Sequence, residues 1–218
     1  MKLFKEKEAT DSQIERGKGI LKSLQIVINV LYSMMIFQVF LILPRPGDTV
    51  LKKETLGQVF SSNYMQLVVI VVGLILILMY WIKFNKILGN LIRSTTTHAL
   101  LLVFQMVCLM IYMYFVRFDL EMDGLELALQ MESVFLALAG FTGAFSWYYA
   151  TKNGLTSSNI DREEERQIFY GNLSEPIASL FTLPFAVFGP LVWTISFLAI
   201  IPISYALRMV RENRAISK

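Results

Sequence analysis

Long apolar runs separated by short polar segments dominate this chain. The first, Ile20–Leu43, is 24 residues long with Lys22 its only charge. At about 1.5 Å per residue such a helix reaches roughly 36 Å, enough to cross a hydrocarbon core of about 30 Å with some tilt. Similar runs predict span two at Ser62–Ile82, span three at His98–Val116 and span four at Leu127–Tyr149. Span five is predicted at Ile168–Phe188 and span six at Pro190–Leu207, with Gly189-Pro190 the break between them. Tyr80-Trp81 and Trp147-Tyr148-Tyr149 close two of these runs, as interfacial aromatics do. Pro44-Arg45-Pro46-Gly47-Asp48 ends the first helix, because two prolines and a glycine cannot continue it. Val50–Phe60 reads as a short loop or amphipathic segment. The expected fold is all-α: a polytopic membrane protein of six transmembrane helices.

Within the first run the polar residues are not scattered. On a wheel of about 100° per residue, Lys18, Lys22, Gln25, Asn29, Tyr32 and Ser33 fall within roughly a quarter-turn, and Ile36, Phe40 and Leu43 continue the stripe. One face thus passes from cationic, through hydrogen-bonding, to large and apolar. Amides and hydroxyls facing hydrocarbon cost free energy unless partnered, so this stripe should face protein or water. Two readings follow. Gln25, Asn29, Tyr32 and Ser33 line an ion path with Ile36 and Phe40 as a hydrophobic gate, or the polar groups are interhelical glue worth only about 0.6–2 kcal/mol each. Lysine rings at a mouth favour anions, which sets Lys18 and Lys22 against a cation path unless they reach lipid phosphates or pair with carboxylates.

Composition agrees with a membrane protein: 55% of residues are hydrophobic and 17% charged, against about 25% charged in soluble domains. The net charge of +3 reflects topology rather than nucleic-acid binding. Sixteen of the 20 Lys and Arg fall in the N-terminal arm through Lys22, the loops after spans two and four, and the C-terminal tail. The remaining four are Arg45, Lys52, Lys53 and Arg117. Basic residues stay inside, so both termini are expected in the cytoplasm, with the acidic turn after span three outside. The start is polar for too long to read as a signal peptide, so the first span is expected to stay in the mature protein. With no internal repeat, residues 1–19 form a cytoplasmic arm, 20–207 one transmembrane domain and 208–218 a basic cytoplasmic tail.

Some stretches resemble a known family. YWIKFNKILGNLIRSTTTHALLLVF, then WYYATKNGL, then NLSEPIASLFTLPFAVFGPLVWTISFLAIIP resemble the transmembrane protein 175 family of potassium channels across residues 62–207, including a proline opening helix five. The first span departs from that family. With Lys22 in place of the family's arginine, its Phe-Ser-Asp-Gly motif falls on Ile26-Val27-Ile28-Asn29 and is absent, and its histidine after the Trp of helix two falls at Phe84. The resemblance implies a divergent single-repeat subunit. Four copies would surround a pore lined by helix one, with bulky aliphatic side chains as the constriction and potassium as the ion.

Other chemistry is sparse. Glu132 and Glu175 lie at membrane depth near opposite faces, too far apart for a paired acid–base site. Glu175 and Lys22 form a candidate anchoring pair at the cytoplasmic end. His98, the sole histidine, reads as an interfacial cap of span three; the Arg93-x4-His98 spacing of some ribonuclease helices puts the two about 140° apart. With Cys108 alone in an apolar run there is no disulfide framework or zinc site, and no phosphate loop or nucleophile elbow occurs. Ala139, Gly140, Gly143 and Ala144 give overlapping small-xxx-small pairs for close helix packing, within or between subunits. Asp161–Arg166 reads as a solvated helix start.

The sequence thus points to a non-enzymatic, oligomeric ion-channel subunit, a homotetramer on the resemblance, in a prokaryotic inner membrane. It would pass potassium or other monovalent cations and have no cofactor, metal or nucleic-acid partner. The competing reading is a non-conducting scaffold or effector subunit that retains the fold.

Overall fold

The computed structural model describes residues 11–42, 64–122 and 124–216, with the side chains of 40–42, 64–66, 69 and 214–216 not included. The Pro44–Asp48 break and the Val50–Phe60 segment lie outside the described residues. What is described is helical: α1 (Asp11–Ile42), α2 (Tyr64–Gly89), α3 (Thr96–Glu121), α4 (Glu126–Lys152) and α5 (Arg162–Thr182). A 3-10 turn, Leu183–Phe188, leads to the short α6 (Pro190–Ser196), and a second, Phe197–Ala199, leads to α7 (Ile200–Ile216). Among the described residues the one β feature is an isolated bridge between Leu91 and Thr156.

The helix ends follow local chemistry. Thr95 Oγ1 accepts from the His98 amide at 3.2 Å and caps α3, while Asp161 Oδ1 accepts from the Glu164 amide at 2.6 Å and caps α5. Glu163, Glu164 and Glu165 then sit in the first turn of α5, where the helix dipole favours them. The α3–α4 turn needs a left-handed residue, and Gly124 supplies it at φ 87°, donating to the Asp119 carbonyl. His98 is not an interfacial cap. Thr95 does the capping, and the His98 ring is wholly enclosed, stacked on Tyr149 and 3.0 Å through Nδ1 from Ser94 Oγ.

Among the described residues five helical stretches are long and apolar enough to cross a membrane: Asp11–Val39, Ile70–Gly89, Thr96–Glu121, Glu126–Lys152 and Pro190–Asn213. The protein is a multi-pass helical membrane protein. Predicted span five differs. Its α-helix starts early, at Arg162, and gives way to 3-10 geometry after Thr182. It buries Asn172, Ser174, Glu175, Ser179 and Thr182, so it crosses the bundle as a polar-cored helix shielded by its neighbours. Pro176 does not open this helix but sits inside it.

Helix α4 is the centre of the packing, between α3 and α5. A Cβ on Gly140 would lie 2.8 Å from the Pro176 ring of α5, and one on Gly143 2.7 Å from Gln105 Nε2 of α3. The small-residue motif therefore works inside the subunit, on both flanks of α4. Tyr80 of α2 donates to the Leu136 carbonyl at 2.8 Å, and Trp147 donates to the Glu165 carbonyl at 2.9 Å. Near the far end Trp193 donates to Ser133 Oγ, itself 2.7 Å from Thr182 Oγ1.

One end of the bundle gathers segments remote in sequence. The Ser94 amide donates to the Gly17 carbonyl, Ile92 to Leu155, and Ser157 to Asn90. Arg211 near the end of α7 pairs with Glu163 at 3.2 Å. The beginning of α1, the α2–α3 and α4–α5 connections and the end of α7 thus share one end, so the chain runs the length of the bundle six times.

Candidate functional site: the outward face of the first helix

Among the described residues, helix α1 is attached along one side. Leu21, Leu24, Ile28, Tyr32, Met35 and Val39 recur at three- and four-residue steps and are buried against the rest of the bundle. Helices α2 and α3 receive this stripe. Within its apolar window 28% of α1 is buried, against 56% for α4. Ile26, Val27, Val30, Met34 and Phe37 are exposed, Phe37 by 62%. Asn29, Val30, Ser33, Met34, Phe37 and Gln38 line a depression of about 590 Å³ that opens away from the subunit.

Two hydrogen bonds fix the polar end of this strip. Trp81 Nε1 of α2 donates to Asn29 Oδ1 at 3.3 Å, and Ser33 Oγ donates to the Asn29 carbonyl at 2.8 Å. The Asn29 side chain thus ties α1 to α2. Ser33 satisfies its proton within its own helix, leaving acceptor capacity on the open side.

The structure divides the sequence-derived stripe. Asn29 and Ser33 lie on the open face, and Lys18 and Lys22 are exposed. Gln25 and Ile36 are half-buried at the margin, Ile36 packing on the core. Tyr32 is a correction. It is 1% exposed, tilted against Phe84 at 6.0 Å, and belongs to the core rather than to any path. The Phe40 side chain lies outside the described residues. Val30, Met34, Phe37 and Gln38 were missed. The centre of the open face is turned by roughly 100° from that of the stripe. The missed signal was the clean Leu21–Leu24–Ile28–Met35–Val39 ridge, which marks the buried side and places the open face opposite.

The proposed Lys22–Glu175 pair is also corrected. Glu175 is 1% exposed and faces Lys83 of α2, with Nζ 3.9 Å from Oε2, while Ser179 Oγ donates to Oε1 at 3.2 Å. Lys22 follows the buried Leu21 by about 100° on the helix and therefore points outward. Among the described residues no group of three or more His, Cys, Asp or Glu side chains could hold a metal. Arg93 lies in the α2–α3 connection, not on a helix with His98.

No family model and no curated protein matches the chain. A solved structure does: a crystal structure of a variant of the potassium channel MtTMEM175, in complex with a nanobody–MBP fusion protein. The TM-score is 0.60 at 14% sequence identity, covering 96% of each chain. The likeness is one of fold. It runs end to end, so this chain shares the overall fold of that protein.

Proposed function

We propose that this chain is an ion-channel subunit in which copies of the open face of α1 meet around a common axis, with both termini in the cytoplasm. The observation that carries the reading is the one-sided attachment of α1. A ridge locks the helix to its own subunit, while the opposite strip, polar at Asn29 and Ser33 and bulky at Met34 and Phe37, is left uncovered by the described residues. The end-to-end fold likeness to a potassium channel supports it. The collection of Lys83, Lys86, Arg93, Lys152, Arg162, Arg166, Arg208 and Arg211 toward one end of the bundle supports the sidedness.

In this arrangement Asn29 and Ser33 present oxygens that replace part of a monovalent cation's hydration shell, and the apolar side chains beyond them close the path by dewetting. Phe37 joins Ile36 and Phe40 as a constriction residue, a homotetramer is the assembly, and potassium is the ion by likeness alone. The test is reconstitution into liposomes with opposed potassium and sodium gradients. A reversal potential displaced toward potassium is expected.

A second reading has its own observation. The Asn29 side-chain oxygen is engaged by Trp81, and the Ser33 hydroxyl donates within α1. These groups then serve helix attachment in a non-conducting scaffold. Intact oligomers without ion flux in the liposome experiment would select it.

A further inference from the structure

Away from the open face of α1, the structure holds two acids that meet no counter-charge among the described residues. Glu132, in the second turn of α4, is 0% exposed, and Asp119, in the last turn of α3, is 2% exposed. Both carboxylate oxygens of Glu132 and Oδ1 of Asp119 are buried with no hydrogen-bond partner among the described residues. Helix packing seals Glu132 although it lies near one face of the membrane in the sequence. The two acids lie on adjacent helices joined by the Gly124 turn, within electrostatic reach of each other. Tyr112, two turns before Asp119 on α3, is buried within electrostatic reach of Glu132.

Among the described residues the surroundings offer no cation. Arg117 is exposed and bound to Glu121 at 2.8 Å. Glu126 is exposed and accepts from Gln130. The described part of α2 between residues 67 and 82 carries no charge, and neither do the 3-10 turn and α6 between residues 183 and 196. Two enclosed carboxylates cannot both remain ionised without a positive partner, because desolvation and mutual repulsion act together.

We infer that Asp119 and Glu132 form a buried site for one positive charge, a proton or a dehydrated alkali cation, near the α3–α4 turn and separate from the α1 face. The bound charge exists in the folded protein only, so it stabilises the fold by mass action. It also joins the outer ends of α3 and α4.

The experiment is thermal unfolding of the full chain in detergent. In one arm pH runs from about 5 to about 9 at constant ionic strength; in the other, potassium or sodium replaces choline at fixed pH. A proton site gives a midpoint that falls by roughly 5 °C as protons are withdrawn, and an alkali site gives a rise of that size with the metal and not with choline. Glu132→Gln and Asp119→Asn each abolish the shift. A wild-type midpoint insensitive to both arms overturns the inference, as does a full shift retained in Glu132→Gln. Should the variants not fold, infrared spectra of the wild type decide. A carboxylic-acid stretch slow to shift in heavy water, or a carboxylate stretch moved by added potassium, supports the site, and the absence of both overturns it.

Discussion

Helices α1 and α4 are both long and apolar, yet they are built for opposite tasks. Helix α4 is small-faced. Gly140 admits the Pro176 ring, Gly143 admits the Gln105 amide, and both flanks are filled by neighbours of the same subunit. Helix α1 is large on every side, with its buried ridge matched by the exposed Ile26, Val30, Met34 and Phe37. Hydrophobicity does not separate them; side-chain size does. Between helices the bilayer supplies no hydrophobic drive, so small residues mark where backbones approach. Over residues 20–39 helix α1 has no glycine or alanine, and its outer face is left uncovered by the described residues.

The sharpest way to break this contrast is to enlarge α4. Gly140→Val puts side-chain carbon where the Pro176 ring already lies, and the ring, inside a helix, has little room to move. A loss of about 3 kcal/mol is expected, read as a collapse of the monodisperse detergent peak and of the thermal midpoint. A normal profile would show that the α4–α5 seam is loose.

Next is the ion pair behind α1. Lys83→Ala leaves Glu175 enclosed without its cation and should cost about 2 kcal/mol, whereas Lys22→Ala, at an exposed site, should stay within about 0.5 kcal/mol. Paired thermal denaturation of the two variants checks this. Equal losses would return Lys22 to the anchoring role.

Smaller is the attachment at the polar end of the strip. Asn29→Ala removes the acceptor for Trp81 and should cost about 1 kcal/mol, with a change in indole fluorescence as the ring is released. If the spectrum does not change, the contact is incidental. Smallest for stability is Phe37→Ala, expected near zero in detergent because the described residues leave the ring 62% exposed. Its effect should appear only in function, as increased ion flux in liposomes. Unchanged flux would remove Phe37 from the constriction.

Much of the architecture was legible in the sequence because the bilayer imposes strong rules. Runs of about 20 apolar residues must be helices, since backbone groups have no other partner in hydrocarbon. Pro190 and Asp161 marked real boundaries. Span five was misjudged in its limits because Glu163, Asn172 and Glu175 dilute its apolar signal, although its neighbours shelter Asn172 and Glu175. The candidate site was half legible. Asn29 and Ser33 stood out as polar groups in an apolar run, but a wheel of α1 cannot say which flank of a polar stripe the bundle will cover. Tyr32 was taken as polar for its hydroxyl, while its ring is core material against Phe84.

By itself the sequence determined that the chain is helical, that it crosses a membrane repeatedly, and where its charges collect. Those properties depend on the solvent and on local backbone chemistry, which act residue by residue. The tertiary structure alone decided which acid meets which base, as when Glu175 takes Lys83 over Lys22. It also decided that Glu132 is sealed and that α1 keeps an open face. Those outcomes depend on how helices rotate against one another, and a rotation of one residue, about 100°, exchanges a buried side chain for an exposed one.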